Sequence, residues 1–110
     1  GICCGEPCTI AWDILKNCAD FFISMPDYVA ANGMRILGNS AGNDRKIVSG
    51  ESGASTMGIV SEILRNTGLA WLKEKLKIDE NSRILLFSTE GDTDKENYRK
   101  IVWDGLYPSF

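Results

Sequence analysis

Histidine is absent from this 110-residue chain. That removes Ser-His-Asp and Cys-His catalysis and most catalytic zinc sites, which depend on imidazole. Any chemistry must rest on Lys, Asp, Glu, Cys, Ser, Thr or a cofactor. Cysteine is missing beyond residue 18, since Cys3, Cys4, Cys8 and Cys18 crowd the start of the chain. A disulfide-stapled secreted domain spreads its cysteines more widely. Cys4 and Cys8 could begin a zinc site, but the spacings match no common zinc pattern. The expected state is small, buried, reduced side chains. Cys18 with Cys3 or Cys4 is the pair to check for a local disulfide. No apolar run approaches the roughly 20 residues that span a bilayer. No basic start before an apolar stretch marks a signal peptide. An opening Met is lacking too, so the chain is expected to be trimmed or cut from something longer. Excess positive charge is also absent: the net charge is -3, and the 12 Lys and Arg are scattered. Lys73, Lys75 and Lys77 come nearest to a cluster, with the spacing of a solvated helix side. That balance does not suit a nucleic-acid or anionic-membrane surface.

What is present fits a globular chain, 44% hydrophobic and 25% charged, long enough for one small core and not for two domains. After Pro7, Ile10, Ile14, Leu15, Cys18, Phe21 and Phe22 recur at helical spacing, predicting an amphipathic helix of about four turns. Ser24, Pro26 and Asp27 signal a second start, with Ser24 as the cap. Tyr28, Val29, Ala31, Met34, Ile36 and Leu37 carry that helix to a glycine stop at Gly38. Gly33 in its middle predicts a close backbone contact. A third helix follows Ser52 and Gly53 through Ala54, Met57, Val60, Ile63 and Leu64 to Gly68. A short one spans Leu69 to Leu76. Arg83-Ile84-Leu85-Leu86-Phe87 is a continuous apolar run and predicts a strand buried on both faces, as in a parallel sheet. Thr93 and Glu96 have capping-box spacing for a last helix holding Tyr98, Ile101 and Val102, ended by Gly105. One strand cannot make a sheet. The expected fold is therefore α/β and helix-rich, contributing part of a mostly parallel sheet whose other strands lie elsewhere.

Two stretches could carry chemistry. Ser49-Gly50-Glu51-Ser52-Gly53-Ala54 is a glycine-bracketed turn entering a helix, which presents N–H groups that can hold an anion. It lacks the Lys-Ser/Thr ending of a nucleotide P-loop. On local sequence alone a plain helix start with small residues is the better explanation, since helix starts of this kind are common. Ser88-Thr89-Glu90-Gly91-Asp92 puts hydroxyls and carboxylates at the end of the expected strand, where ligands of open α/β sheets bind. The plain alternative is a polar strand-to-helix loop.

Several strings resemble the C-terminal part of the diaminopropionate ammonia-lyase family. They include Gly5-Glu6-Pro7, Ala11-Trp12-Asp13-Ile14-Leu15-Lys16-Asn17-Cys18 and Gly33-Met34-Arg35-Ile36-Leu37-Gly38-Asn39. Gly42-Asn43-Asp44, Ser49 to Ala54, Ser88 to Asp94 and Tyr98 to Gly105 follow in order. The resemblance runs over nearly the whole chain, so residues 1–110 are expected to be a single C-terminal fragment of a lyase domain. It implies a fold type II enzyme dependent on pyridoxal 5'-phosphate (PLP), related to tryptophan synthase β. The reaction would be α,β-elimination of 2,3-diaminopropionate to pyruvate and two ammonia molecules, a step of amino-acid catabolism. The parent is expected to be a cytoplasmic homodimer with a small amino-acid substrate and no nucleic-acid or membrane partner.

By position, the resemblance assigns Ser88 to the pyridine nitrogen of the cofactor, with Thr89 the near alternative. A hydroxyl does not readily protonate the ring, which then draws electrons less strongly than beside an Asp and suits prompt loss of the β group. Glu51 would lie near the ring edge. Gly5 and Glu6 would face the side of the ring 3-hydroxyl. The cofactor-bearing lysine and the glycine-rich phosphate loop of the family fall in earlier sequence, as do the acids that protonate the leaving amine. None of Lys16, Lys46, Lys73, Lys75, Lys77, Lys95 and Lys100 sits in a matching setting. The chain alone is thus expected to be inactive, with no catalytic residue and no metal ligand of its own. Two alternatives are a free-standing binding module derived from this half-domain and a degenerate regulatory relative. A fragment should expose apolar surface where missing strands belonged.

Overall fold

A computed structural model describes residues 5–108. Five helices carry the structure: α1 (Thr9–Cys18), α2 (Asp27–Gly38), α3 (Glu51–Arg65), α4 (Ala70–Lys75) and α5 (Lys95–Val102). A 3₁₀ turn, Thr67–Leu69, leads into α4. Among the described residues no helix is long and apolar enough to cross a membrane.

The centre is the pairing of α2 with α3, onto which α5 packs. Two glycines set its closeness. A Cβ on Gly33 would overlap the Ala54 carbonyl oxygen and come within 2.8 Å of the Gly58 nitrogen. A Cβ on Gly58 would overlap the Val29 carbonyl oxygen in return. Backbone therefore meets backbone at both crossings, as the mid-helix Gly33 led one to expect. Around this contact Ala31, Met34, Ala54, Tyr98 and Ile101 form the core, with Leu37 and Val102 against it. Hydrophobic burial of this kind is the main favourable term in folding.

Arg35 ties the last helix to α2. Its Nε donates to the Ile101 carbonyl at 3.0 Å, and Nη1 donates to Asn32 Oδ1 at 3.0 Å. Nη2 donates to the Leu106 and Tyr107 carbonyls. The guanidinium thus satisfies the Ile101 carbonyl, which the end of α5 leaves open, and two carbonyls of the tail beyond it. Burial pulls the Arg35 pKa down from its ordinary value. Gly105 supplies a left-handed φ of 78°, which returns the Leu106 N–H to the Lys100 carbonyl at 2.9 Å.

Helix boundaries moved from the expected positions for local reasons. α1 has ten residues rather than about four turns, and Phe21 and Phe22 fall beyond its end at Cys18. Phe22 instead meets Trp12, with ring centroids 6.1 Å apart. The cap of α2 is Pro26, not Ser24. α5 is capped by Asp94, whose Oδ1 accepts from the Asn97 N–H at 3.0 Å, so the carboxylate one residue on displaces Thr93. α3 begins one residue before Ser52, with Gly50 as its cap.

Two expectations need correction. Among the described residues there is no strand, so the sheet part of the α/β expectation is not seen within this chain. Residues 83–87 form no ladder because a strand is defined by a neighbour, and the described residues bring none beside them. Leu85 is 78% and Phe87 70% exposed. The cysteines differ as well: Cys8 and Cys18 are free but exposed rather than buried, because α1 packs on no other helix. Cys3 and Cys4 lie outside the described residues, and with them the question of a local pair.

Candidate functional site

The two stretches singled out in the sequence come together. The loop after residue 87 lies on the entry to α3, held by backbone and side-chain bonds. The Gly50 N–H donates to the Glu90 carbonyl at 3.1 Å. The Ser52 N–H donates to Glu90 Oε1 at 3.3 Å. Ser49 Oγ and Ser88 Oγ are 2.8 Å apart. Glycines are required at this seam. A Cβ on Gly50 would overlap Glu90 Oε1, and one on Gly53 would lie 2.6 Å from Ser49 Oγ and 3.0 Å from Ser88 Oγ.

The positive end of α3 was read as a possible anion holder. In the structure the Glu90 carboxylate takes that place. The helix is capped by a side chain from a distant segment, which supplies both an acceptor and a negative charge to the dipole. A plain, internally satisfied helix start is therefore the better description of residues 49–54.

Ser88 is exposed and rests on Ser49, which is fully buried. Thr89 is exposed beside it, with its backbone nitrogen 2.9 Å from where a Gly53 Cβ would stand. Glu51 is half-buried and accepts a hydrogen bond from Asn97 Nδ2 at 3.0 Å. It lines a cleft of about 200 Å³ together with Met34, Glu90, Asp92, Asp94 and Asn97. The cleft is strongly acidic, and neither Ser88 nor Thr89 lines it. Ser88 and Glu51 thus flank one turn without sharing one cavity. Gly5 and Glu6 lie ahead of α1, exposed, and do not line the cleft either. Three residues with clear roles here were not chosen from sequence as site residues: Ser49, Glu90 and Asn97. Each acts through a contact 38 to 46 residues away in the chain, which no local pattern reveals.

No protein-family model matches the chain. Individual proteins do match. It is 50% identical over 107 residues to the diaminopropionate ammonia-lyase of Escherichia coli (strain K12), covering 97% of this chain and 27% of that protein. The relatives of this chain are diaminopropionate ammonia-lyases. Solved structures agree: the E. coli enzyme in complex with D-serine superimposes with a TM-score of 0.91 at 48% identity, over 98% of this chain and 28% of that one. The same enzyme carrying an aminoacrylate–PLP azomethine reaction intermediate gives 0.91 at 48% identity, over 98% and 29%. The chain spans about a quarter of the length of these relatives, which is consistent with the C-terminal part of such an enzyme.

Proposed function

We propose that this chain is one wall of a PLP-dependent lyase that converts 2,3-diaminopropionate and water to pyruvate and two ammonia molecules. The observation that carries the reading is the 50% identity to diaminopropionate ammonia-lyase across 97% of the chain. The residues present suit the cofactor. Ser88 is an exposed residue whose hydroxyl rests on the buried Ser49, and that partner is another hydroxyl rather than a carboxylate. Such a group can hydrogen-bond a ring nitrogen without protonating it. When bound, PLP draws electrons from the substrate α-carbon, so that a proton and then the β-amine can leave.

This chain's own residues would bind and orient. Ser88 would hold the pyridine nitrogen, with Thr89 beside it. Glu51, steadied by Asn97, would stand toward the ring edge, and Gly5 and Glu6 toward the 3-hydroxyl side. Glu90 would fix the loop that carries Ser88 by closing it onto α3. Residues 83–87 would be an interior strand of a parallel sheet in a fold type II enzyme, covered on both faces by the rest of the protein. The intact enzyme would be a cytoplasmic homodimer, and the chain alone would turn nothing over.

The test is to purify the full-length protein that carries this chain, load it with PLP and follow pyruvate and ammonia from 2,3-diaminopropionate. The expected result is pyruvate with twice as much ammonia. A folded, PLP-loaded protein that releases no pyruvate would overturn the reading.

A further inference from the structure

Ser49 and Ser88 place two hydroxyl oxygens 2.8 Å apart, so one donates to the other. Each hydroxyl has one proton and two lone pairs. The Ser49 proton has a second acceptor in the Gly50 carbonyl, but at 3.4 Å. That is long for an O–H···O bond, whose usual range ends near about 3.0 Å. Ser49 is 0% exposed, so water is not a competing acceptor. Its proton therefore goes best to Ser88. Ser88, exposed and already accepting, keeps its own proton for a partner outside the chain. Gly53 preserves this arrangement, since a Cβ there would press on both oxygens.

We propose that Ser49 is a positioning residue that fixes Ser88 as an outward hydrogen-bond donor, matched to an uncharged aromatic nitrogen. The inference rests on the reading of this chain as part of a PLP enzyme. A hydroxyl that accepts one hydrogen bond is polarised into a stronger donor. The pair thus favours the unprotonated pyridine ring. A protonated ring nitrogen would need Ser88 as acceptor; the Ser88 proton would then turn to Ser49, and the buried Ser49 proton would be left with only the 3.4 Å contact to the Gly50 carbonyl. Ser49 acts on the cofactor only through Ser88.

The experiment uses the full-length protein that carries this chain, with PLP and with its 1-deaza analogue, in which carbon replaces the ring nitrogen. The wild type should bind PLP about five- to tenfold more tightly than the analogue, the worth of one hydrogen bond. Ser49→Ala should lose most of that advantage for PLP while leaving affinity for the analogue nearly unchanged. It should also move the pH profile of the bound cofactor's absorption band toward a protonated ring. In a Ser88→Ala background, Ser49→Ala should add no further loss. Equal losses for both cofactors would assign Ser49 to packing alone and overturn the inference. Should Ser49→Ala fail to fold, Ser49→Cys keeps the volume with a much weaker donor and should also lose most of the preference for PLP, an undiminished preference overturning the inference. Equal affinity of the wild type for the two cofactors overturns the inference and leaves the PLP reading standing. A folded wild-type protein that binds neither cofactor overturns both.

Discussion

Two regions of this molecule follow opposite rules. The α2–α3–α5 centre closes on itself: Met34 and Ile101 are fully buried, two glycines let backbones touch, and Arg35 ties off the open carbonyls. The α1 segment and residues 83–87 are just as apolar and face outward. Ile10 is 75% and Leu85 78% exposed, and α1 buries no residue. A ten-residue helix is marginal in water without tertiary packing. Contiguous apolar surface on a self-sufficient protein is small. The first region is completed by this chain, while the second lacks covering neighbours among the described residues. A relative nearly four times as long, superimposing at a TM-score of 0.91, has room to supply them.

The comparison can be broken most sharply at the close crossing. Gly58→Val would drive side-chain atoms into the Val29 carbonyl, and the helix pair can relieve this only by separating. The expected loss is about 4 kcal/mol or more, among the exceptional values for one substitution, read from denaturant midpoints. Leu85→Asp tests the other region. In the isolated chain it should change stability by less than about 0.5 kcal/mol, as an exposed substitution does. In the full-length protein it should cost about 2–4 kcal/mol, because the charge would enter a covered strand. Equal small effects in both would show that nothing covers this segment.

Arg35→Ala comes next. It removes a charged donor from the Ile101, Leu106 and Tyr107 carbonyls and should cost about 2 kcal/mol. Lysine should not restore it, since one ammonium cannot reproduce the planar fork. The smallest effect belongs to Tyr98. Its hydroxyl is buried and has no hydrogen-bond partner among the described residues. Tyr98→Phe should be neutral or stabilising by up to about 1 kcal/mol. Burial first, then the negative charge of Asp92, raise the Tyr98 pKa above its ordinary value of 10.0. The folded state thus holds this proton more tightly than the unfolded chain. Its contribution is complete below pH 10 and is lost as pH rises through the folded value. Alkaline titration of stability should be flatter in Tyr98→Phe.

How much the residues disclosed in advance follows the same division. The helices of the centre were legible because their apolar period is the buried face, and Gly33 announced a close crossing by its cost inside a helix. Caps shifted by a residue or two because competing polar groups stand side by side, as Asp94 does beside Thr93. The strand expected at residues 83–87 was read from an apolar run, but pairing is a property of two segments, and among the described residues no second one lies beside it. At the candidate site, Ser88, Thr89 and Glu51 were expected by position and resemblance. Ser49 and Glu90 were not, because burial and long-range capping arise only when the loop folds onto α3.

The central claim is that the exposed apolar segments are internal surfaces of a larger enzyme. Amide hydrogen exchange of residues 84–87 and of α1, in the isolated chain and in the full-length protein, tests it most directly. Rapid exchange in the isolated chain and strong protection in the full-length protein is the predicted result. Equal exchange in the two, with α2 and α3 protected in both, would contradict it.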